Sequence, residues 1–294
     1  MSSQRYHAAR MGKEPRIDSH QHFWRYTKAE YGWIDDTMAV LRRDFLPGDL
    51  RPLLDRARID GCIAVQAPQS LAETRFLLDL AEQHAWIFGV VGWVDLRSPE
   101  VGAQLRSLAT HPRLVGVRHI AQSEPDRFLV EPDFVRGIAA LAGSDLSYDV
   151  LIYPRQLPAA IELVAQFPEQ AFVLDHAAKP DLRSGELAPW RQHMKVLAQA
   201  PNLFCKLSGL ATEAPWRTWT LDTLRPAVDF VLEHFGEKRV LFGSDWPVCQ
   251  CATTYARWVD TVEALLAKTT PAFAAAVFGG NARAAYPRLA RAAR

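Results

Sequence analysis

RIDSHQHF, residues 16–23, is the first of eight strand-like segments, each followed by an amphipathic stretch of about 10 to 20 residues. The other segments are GCIAVQAP (61–68), WIFGVVGWVDL (86–96), LVGVRHI (114–120), SYDVLIYP (147–154), QAFVLDHAA (170–178), NLFCKLSG (202–209) and RVLFGSDWP (239–247). Strands that alternate with helices form a parallel sheet, and several of these strands are apolar on both faces. The pattern predicts an α/β fold, a single-domain (β/α)8 TIM barrel over residues 16–294, preceded by a frayed N-terminal segment, residues 1–15.

A doubly wound open sheet is the competing architecture. That fold places a glycine-rich phosphate turn after its first strand. Here the first strand ends instead in two histidines, His20 and His22. The position of these histidines therefore favours the closed barrel.

Composition narrows the class of partner. Lys and Arg number 34 and Asp and Glu 33, so the chain has no global field that would hold nucleic acid or an anionic membrane. No run of about 18 apolar residues occurs, and the first fifteen residues lack the apolar centre of a secretory signal. Four cysteines are too few for a disulfide framework in a chain this long. We expect a cytoplasmic protein with a small-molecule partner, and a homo-oligomer is compatible with the sequence.

The histidines of the first strand are the strongest candidates for chemistry. Side chains alternate along a strand, so Asp18, His20 and His22 are predicted to share one face. Two imidazoles at that spacing can converge on a metal ion or on a substrate carbonyl. Two ordinary strand-end histidines are the alternative, but barrel enzymes place their active sites where this strand ends.

Two further strand ends add to the same site. Asp245 ends strand eight, which lies beside strand one in a closed barrel, and its carboxylate could bind a metal or take a proton from water. His176 ends strand six as a candidate third ligand or electrophile. A capping role for Asp245 and a core position for His176 remain the alternatives. Asp175 is expected to face the other way and to be structural.

Three polar residues are candidates for substrate binding. Only one of Arg118 and His119 can face the interior, and the planar fork of the guanidinium favours Arg118. Tyr153 could orient substrate or stabilise an oxyanion, or it could be a buried aromatic. Lys206 must pair with a carboxylate or substrate inside a barrel, and Asp245 on the adjacent strand is its expected partner.

Tryptophans lie near several predicted strand ends. Trp24, Trp33 and Trp246 offer flat faces suited to the C–H faces of sugar rings, although loop tryptophans often serve packing alone. Cys249 and Cys251 resemble half of a metal site, but no second pair follows, and we interpret them as structural or incidental.

Taken together, the motifs resemble those of the amidohydrolase superfamily (amidohydrolase family 2). They are DSHQHFW (18–24), GVR (116–118), LDH (174–176), KLSGL (206–210) and GSDWP (243–247). The sequence is most similar to the sugar lactonase branch, with L-fuconolactonase, L-rhamnonolactonase, and the pyrone-dicarboxylate and sulfomuconolactone hydrolases. The similarity runs from about residue 16 to residue 286 and includes GNAR (280–283).

The resemblance implies a barrel that opens a lactone ring with water. His20 and His22 match the histidines of the family's first strand, His176 matches the strand-six histidine, and Asp245 matches the aspartate that activates water. Some members of this branch bind one divalent metal and others none. Tyr153 stands where the two-metal members carry a histidine, so the resemblance implies at most one divalent ion, zinc first, held by these four residues, and no organic cofactor.

The working hypothesis is therefore hydrolysis of a neutral sugar lactone, such as L-fuconolactone or L-rhamnonolactone, in carbohydrate metabolism. Arg118, Tyr153 and Lys206 would hold substrate oxygens, and the loop after strand one would cover the ring. Two alternatives remain open. One is metal-dependent decarboxylation of an aromatic acid on the same barrel, and the other is a sugar-binding barrel without catalysis.

Overall fold

The eight predicted strands are present and all run parallel. The computed structural model of the protein describes residues 14–292, so the predicted frayed segment lies, apart from its last two residues, outside the described part. The strands are β1 (Ile17–Gln21), β2 (Gly61–Val65), β3 (Ile87–Gly92), β4 (Leu114–His119), β5 (Ser147–Val150), β6 (Phe172–Leu174), β7 (Leu203–Leu207) and β8 (Val240–Phe242). They form one sheet in the order β1 to β8, with helices between them, and the prediction of a single (β/α)8 barrel is confirmed.

Helices connect successive strands on the outside of the sheet. They are α1 (Pro47–Ala57), α2 (Leu71–Gln83), α3 (Val101–Leu108), α4 (Pro132–Ala139), α5 (Leu157–Gln166), α6 (Ala188–Leu197), α7 (Leu210–Glu213), α8 (Leu221–Phe235) and α9 (Tyr255–Leu266). Three short helices follow, α10 (Pro271–Ala275), α11 (Asn281–Ala285) and α12 (Pro287–Ala292). Within residues 14–292, every helix is too short or too polar to cross a membrane.

Strands β8 and β1 approach each other closely at the end of the barrel where the strands finish. The Asp245 N–H donates to the His20 carbonyl at 2.8 Å, and the His22 N–H donates to the Trp246 carbonyl at 2.7 Å. Gly243 permits this approach, because a Cβ there would lie 2.7 Å from the His20 Cβ, closer than two carbons pack. Closure of the barrel thus brings the predicted strand-one and strand-eight residues side by side.

The barrel interior divides into an apolar lower layer and a polar upper layer. Apolar side chains from seven of the strands pack inside the barrel, among them Ile17, Val173 and Leu241. Helices α11 and α12 cover the lower end, where Tyr286 joins the same cluster. Because the lower end is filled, small molecules can enter only from the end where the strands finish.

Several strands end earlier than their sequence pattern predicts. The segment 147–154 was expected to be one strand, but β5 ends at Val150, and residues 154–156 form a 3-10 turn. Likewise β6 ends at Leu174 and β8 at Phe242. Beyond these ends the continuous hydrogen-bond ladder stops, apart from the bridge between Gln21 and Trp246, so alternation along a strand no longer fixes the direction of every side chain.

Candidate active site

A bulge in β1 sets the directions of its polar side chains. Asp18 is opposite Cys62 on β2 while Gln21 is opposite Ala64, so β1 carries one extra residue. Asp18 consequently points to helix α9, where its carboxylate accepts from the Tyr255 hydroxyl at 3.1 Å. The prediction that Asp18 shares the face of the two histidines is wrong, because the bulge interrupts the alternation.

Three imidazoles converge at the upper end of the barrel, each held through its Nδ1. The Nδ1 atoms of His20 and His22 lie 3.1 Å from the Asp175 carboxylate and 2.7 Å from the Val65 carbonyl. The Nδ1 of His176 lies 2.8 Å from the Ser208 hydroxyl. When Nδ1–H of His20 and His22 donates to these acceptors, each Nε2 carries a lone pair, and the two Nε2 atoms are 3.3 Å apart. Arg118 Nη1 lies 3.4 Å from the His20 Nε2.

Asp245 completes the group. Its Oδ1 lies 3.4 Å from the His22 Nε2 and 3.8 Å from the His20 Nε2. Ligand atoms of His20, His176 and Asp245 all lie within 4.8 Å of one another, which is a spacing that one ion can bridge. The sequence-predicted set from strands one, six and eight is therefore brought together in one place.

Burial decides the protonation of these groups. Burial lowers the pKa of His20 well below 6.5 and that of His176 to about 4, so both imidazoles are neutral near neutral pH. Burial alone would raise the pKa of Asp245, but the adjacent imidazoles, His176 foremost, hold it well below its ordinary value of 3.8. Neutral imidazole and ionised carboxylate are the forms that bind metal ions.

A left-handed turn shapes the end of β6. His176, Ala177, Ala178 and Lys179 have φ values of 53°, 49°, 56° and 51°, a conformation that costs about 1–2 kcal/mol per residue when the side chain has a Cβ. The turn is closed by the Lys179 N–H, which donates to the His176 carbonyl at 2.8 Å. Asp175, two residues after the inward-facing Val173, points into the barrel and contacts Arg118 and Lys206, so the prediction that it faces away is wrong. The turn brings His176 and Lys179 towards the same site.

A charged network lies beneath the imidazoles. Arg118 Nη1 and Lys206 Nζ each lie 2.9 Å from the Asp175 carboxylate, and Lys206 Nζ also lies 2.5 Å from Asp149. The Tyr286 hydroxyl donates to Asp149 at 2.8 Å. All five residues are buried, and two cations balance two carboxylates, which is the condition for keeping such charges inside a barrel.

This network corrects the expected partner of Lys206. Lys206 is paired in register with Leu241 on β8, four residues before Asp245, so its ammonium lies a layer below that carboxylate. It pairs with Asp149 and Asp175 instead. Fully buried and doubly paired, Lys206 is not placed to hold substrate oxygens as predicted.

A cavity of about 230 Å³ opens above the site. Its polar lining comes from His22, Arg118, Gln122, Ser123, His176, Lys179 and Asp245, and its apolar lining comes from Trp24, Trp33, Ala67, Ile120, Leu151 and Val248. Trp33 belongs to the loop after β1 and is 47% exposed at the opening, whereas Trp24 is buried beneath it. The volume suits one sugar ring.

Other predicted residues lie outside this lining. Tyr153 and Trp246 are not among the described residues that line the cavity. Tyr153 is exposed nearby, and Trp246 is buried against Phe45. His20 lies directly behind His22 and is fully buried. Arg118 faces the interior, and His119 faces outward, stacked on Phe128 with ring centroids 4.8 Å apart.

Sequence reasoning assigned no role to Lys179 or Asp149. Lys179 follows His176 by three residues, but only the left-handed turn brings it into the cavity. Asp149 had a usable signal, because an acidic residue within the short strand SYDV must find a partner when that strand is buried.

Residues 17–288 match the amidohydrolase family, and the chain belongs to that family, as its motifs predicted. It is 43% identical over 283 residues to an L-fucono-1,5-lactonase of Burkholderia multivorans, covering 92% of this chain and 95% of that one. An L-fucono-1,5-lactonase of Burkholderia ambifaria is 40% identical over 274 residues, covering 91% and 93%. A crystal structure of an amidohydrolase from Burkholderia multivorans with bound Zn matches with a TM-score of 0.90 at 42% identity, covering 93% and 99%.

Proposed function

We propose that the protein is a hydrolase that opens the ring of a sugar aldonolactone, with L-fucono-1,5-lactone as the first candidate substrate. The observation that carries the proposal is the convergence of three anchored imidazoles and the Asp245 carboxylate at the wall of a cavity sized for one sugar ring. The two L-fucono-1,5-lactonases that the chain resembles over more than nine-tenths of its length support it.

The residues fit one divalent metal ion. The Nε2 lone pairs of His20 and His22 would face each other at 3.3 Å with the Asp245 carboxylate beside them, and a metal ion among them would relieve that repulsion. Imidazole and carboxylate donors suit zinc. His20, His22, His176 and Asp245 would hold the ion, which when bound would polarise the lactone carbonyl and acidify a water molecule.

Asp245 supplies the base. The oxygen of a water molecule forms a bond to the lactone carbonyl carbon while Asp245 accepts a proton from that water. The bond between the carbonyl carbon and the ring oxygen then breaks, and Asp245 returns the proton to the ring oxygen. The product is an open-chain hydroxy acid, which ionises to its carboxylate at neutral pH.

The charges around the cavity favour a neutral substrate over a dicarboxylate. Arg118 is already paired with Asp175 at 2.9 Å, and Lys179 is paired with Glu213 at 3.4 Å. A dianionic substrate would call for two available cations, whereas only the longer and more exposed Lys179 pair can open here. The rim residue Trp33 offers its ring face to the C–H face of a sugar.

Acid release from a panel of lactones tests the proposal. The panel contains L-fucono-1,5-lactone, L-rhamnono-lactone and 2-pyrone-4,6-dicarboxylate, with spontaneous hydrolysis subtracted. We expect turnover of the sugar lactones, and a loss of about a hundredfold to ten-thousandfold in kcat for Asp245→Asn. Asp222→Asn, which changes an exposed carboxylate on α8, is the matched control and should keep full activity.

The alternatives give different results in the same experiment. Release of CO2 from hydroxybenzoates without lactone turnover would favour a decarboxylase. Binding of sugar lactones with no turnover above the spontaneous rate would favour a sugar-binding barrel. Wild-type rates for Asp245→Asn would refute the role of this carboxylate.

A further inference from the structure

Lys179 lines the cavity, but the hydrolytic steps above do not use it. It is the last of the four residues in the left-handed turn after β6, three positions beyond His176. The backbone adopts an unfavourable conformation at each of these positions, and the result is that an ammonium group faces the same cavity as Asp245. A binding role for that ammonium would explain the arrangement.

Two neighbours hold the Lys179 side chain at the cavity. Its Nζ lies 3.4 Å from the Glu213 carboxylate and 5.2 Å from the ring centroid of Tyr153, within the range of a cation–π contact. Tyr153, which the sequence suggested as a substrate ligand, therefore contacts the lysine that lines the cavity.

Ring opening changes the charge in the cavity. The lactone is neutral, whereas the product carries a carboxylate close to Asp245. Of the two cations among the described cavity-lining residues, Arg118 is buried, with Asp175 at 2.9 Å and the Gln66 carbonyl also accepting from it. The Lys179 pair is longer and more exposed, with side chains 16% and 22% accessible. Lys179 can exchange its partner at lower cost than Arg118 can.

We propose that Lys179 is the residue that binds the carboxylate of the ring-opened hydroxy acid. Tyr153 positions its ammonium by ring contact, and Glu213 competes with the product for the ammonium and so favours product release. The inference rests on the proposed lactonase function. It assigns the lysine to the product state rather than to the neutral lactone.

Direct binding of the product acid, L-fuconate, measured by calorimetry, tests this role. Lys179→Met keeps the aliphatic stem and should raise the dissociation constant about tenfold to a hundredfold, the loss expected for one charge-assisted contact. The KM for the lactone should change by less than about threefold, because the neutral substrate does not use the charge. Lys179→Arg should retain most of the affinity for the acid.

The positioning residues give effects of opposite sign. Glu213→Gln should bind L-fuconate about threefold to tenfold more tightly, because the competing anion is gone. Tyr153→Leu should weaken acid binding, whereas Tyr153→Phe keeps the aromatic face and should match the wild type. A purely structural role for Lys179 predicts none of these opposing changes.

The inference is overturned if Lys179→Met binds L-fuconate as tightly as the wild type, or if the wild type does not bind the acid. A different measurement tests the proposed function itself. The absence of lactone turnover in the wild type would refute that function, whereas the comparison of acid binding between Lys179 variants does not depend on turnover.

Discussion

Glu73 is a buried carboxyl group beside the cavity. It lies on α2 with 7% of its surface exposed, and its Oε1 accepts the N–H of Ala67, a cavity-lining residue, at 3.3 Å. No cation among residues 14–292 pairs with it, and Glu30 and Tyr31 are the titratable groups nearby. Burial, with a further contribution from Glu30, raises the pKa of Glu73 from 4.5 to about 8.

The raised pKa makes the stability of the protein depend on pH. Between 4.5 and about 8 the folded chain keeps a proton at Glu73 that the unfolded chain has released, so the free energy of unfolding falls as pH rises through this window. Within this window the free energy of unfolding falls by about 1.4 kcal/mol for each pH unit, and the fall levels off near the pKa of Glu73 in the folded protein. From about pH 6 to about pH 8 the expected loss from this one group is about 2 kcal/mol.

Glu73→Gln isolates this contribution. The amide oxygen can still accept from the Ala67 N–H, but the side chain no longer titrates. The difference in unfolding free energy between the variant and the wild type should therefore rise in favour of the variant by about 2 kcal/mol from about pH 6 to about pH 8. Urea denaturation at several pH values measures the difference, and comparing two proteins removes the titration of all other groups.

The exposed residue Glu237 provides the matched control, and Glu237→Gln should track the wild type at every pH. The reasoning is refuted if the difference between Glu73→Gln and the wild type stays constant across this window. That result would mean that the carboxyl group of Glu73 ionises in the folded protein as readily as in the unfolded chain.

Three further predictions concern the site and its support. Gly243→Ala should cost about 1–3 kcal/mol of stability and displace His20. Gly48→Ala, in helix α1, adds a Cβ that meets nothing within 4 Å and should leave activity unchanged and the melting temperature unchanged or higher, because alanine is the better helix former. Equal behaviour of the two variants would contradict the close approach at Gly243. Lys206→Met should lower the unfolding free energy by about 3–5 kcal/mol, because Asp149 loses its ion partner and Asp175 keeps only Arg118. An unchanged denaturation midpoint would refute this. Chelator treatment should abolish lactone hydrolysis, and added zinc should restore it; full activity in a metal-free preparation, verified by elemental analysis, would exclude a metal role.

The order of elements and the main polar positions could be predicted from the sequence. Eight apolar segments separated by amphipathic stretches imply a barrel, because buried parallel strands need helices on their outer face. His20 and Asp245 stand at the ends of the first and last segments, so barrel closure alone brings them together. The prediction follows from the alternation of side chains along a strand and from the adjacency of strands one and eight in a closed barrel.

Side-chain direction beyond the strand ends could not be predicted. The extra residue in β1 turns Asp18 away from the histidines, and the left-handed turn brings His176 and Lys179 to the same side as Asp175. Both features depend on contacts with distant segments, and each contradicts local preference.

The sequence by itself determined the barrel, the family, and the histidines and aspartate brought together at the site. Tertiary structure decided the charge pairing: Lys206 pairs with Asp149 and Asp175 instead of Asp245, and Lys179 faces the cavity. The physical reason is that hydrophobic periodicity is a local property of the chain. The pairing of buried charges depends on the depth of each group in the barrel, and that depth follows from strand register and from bulges and turns.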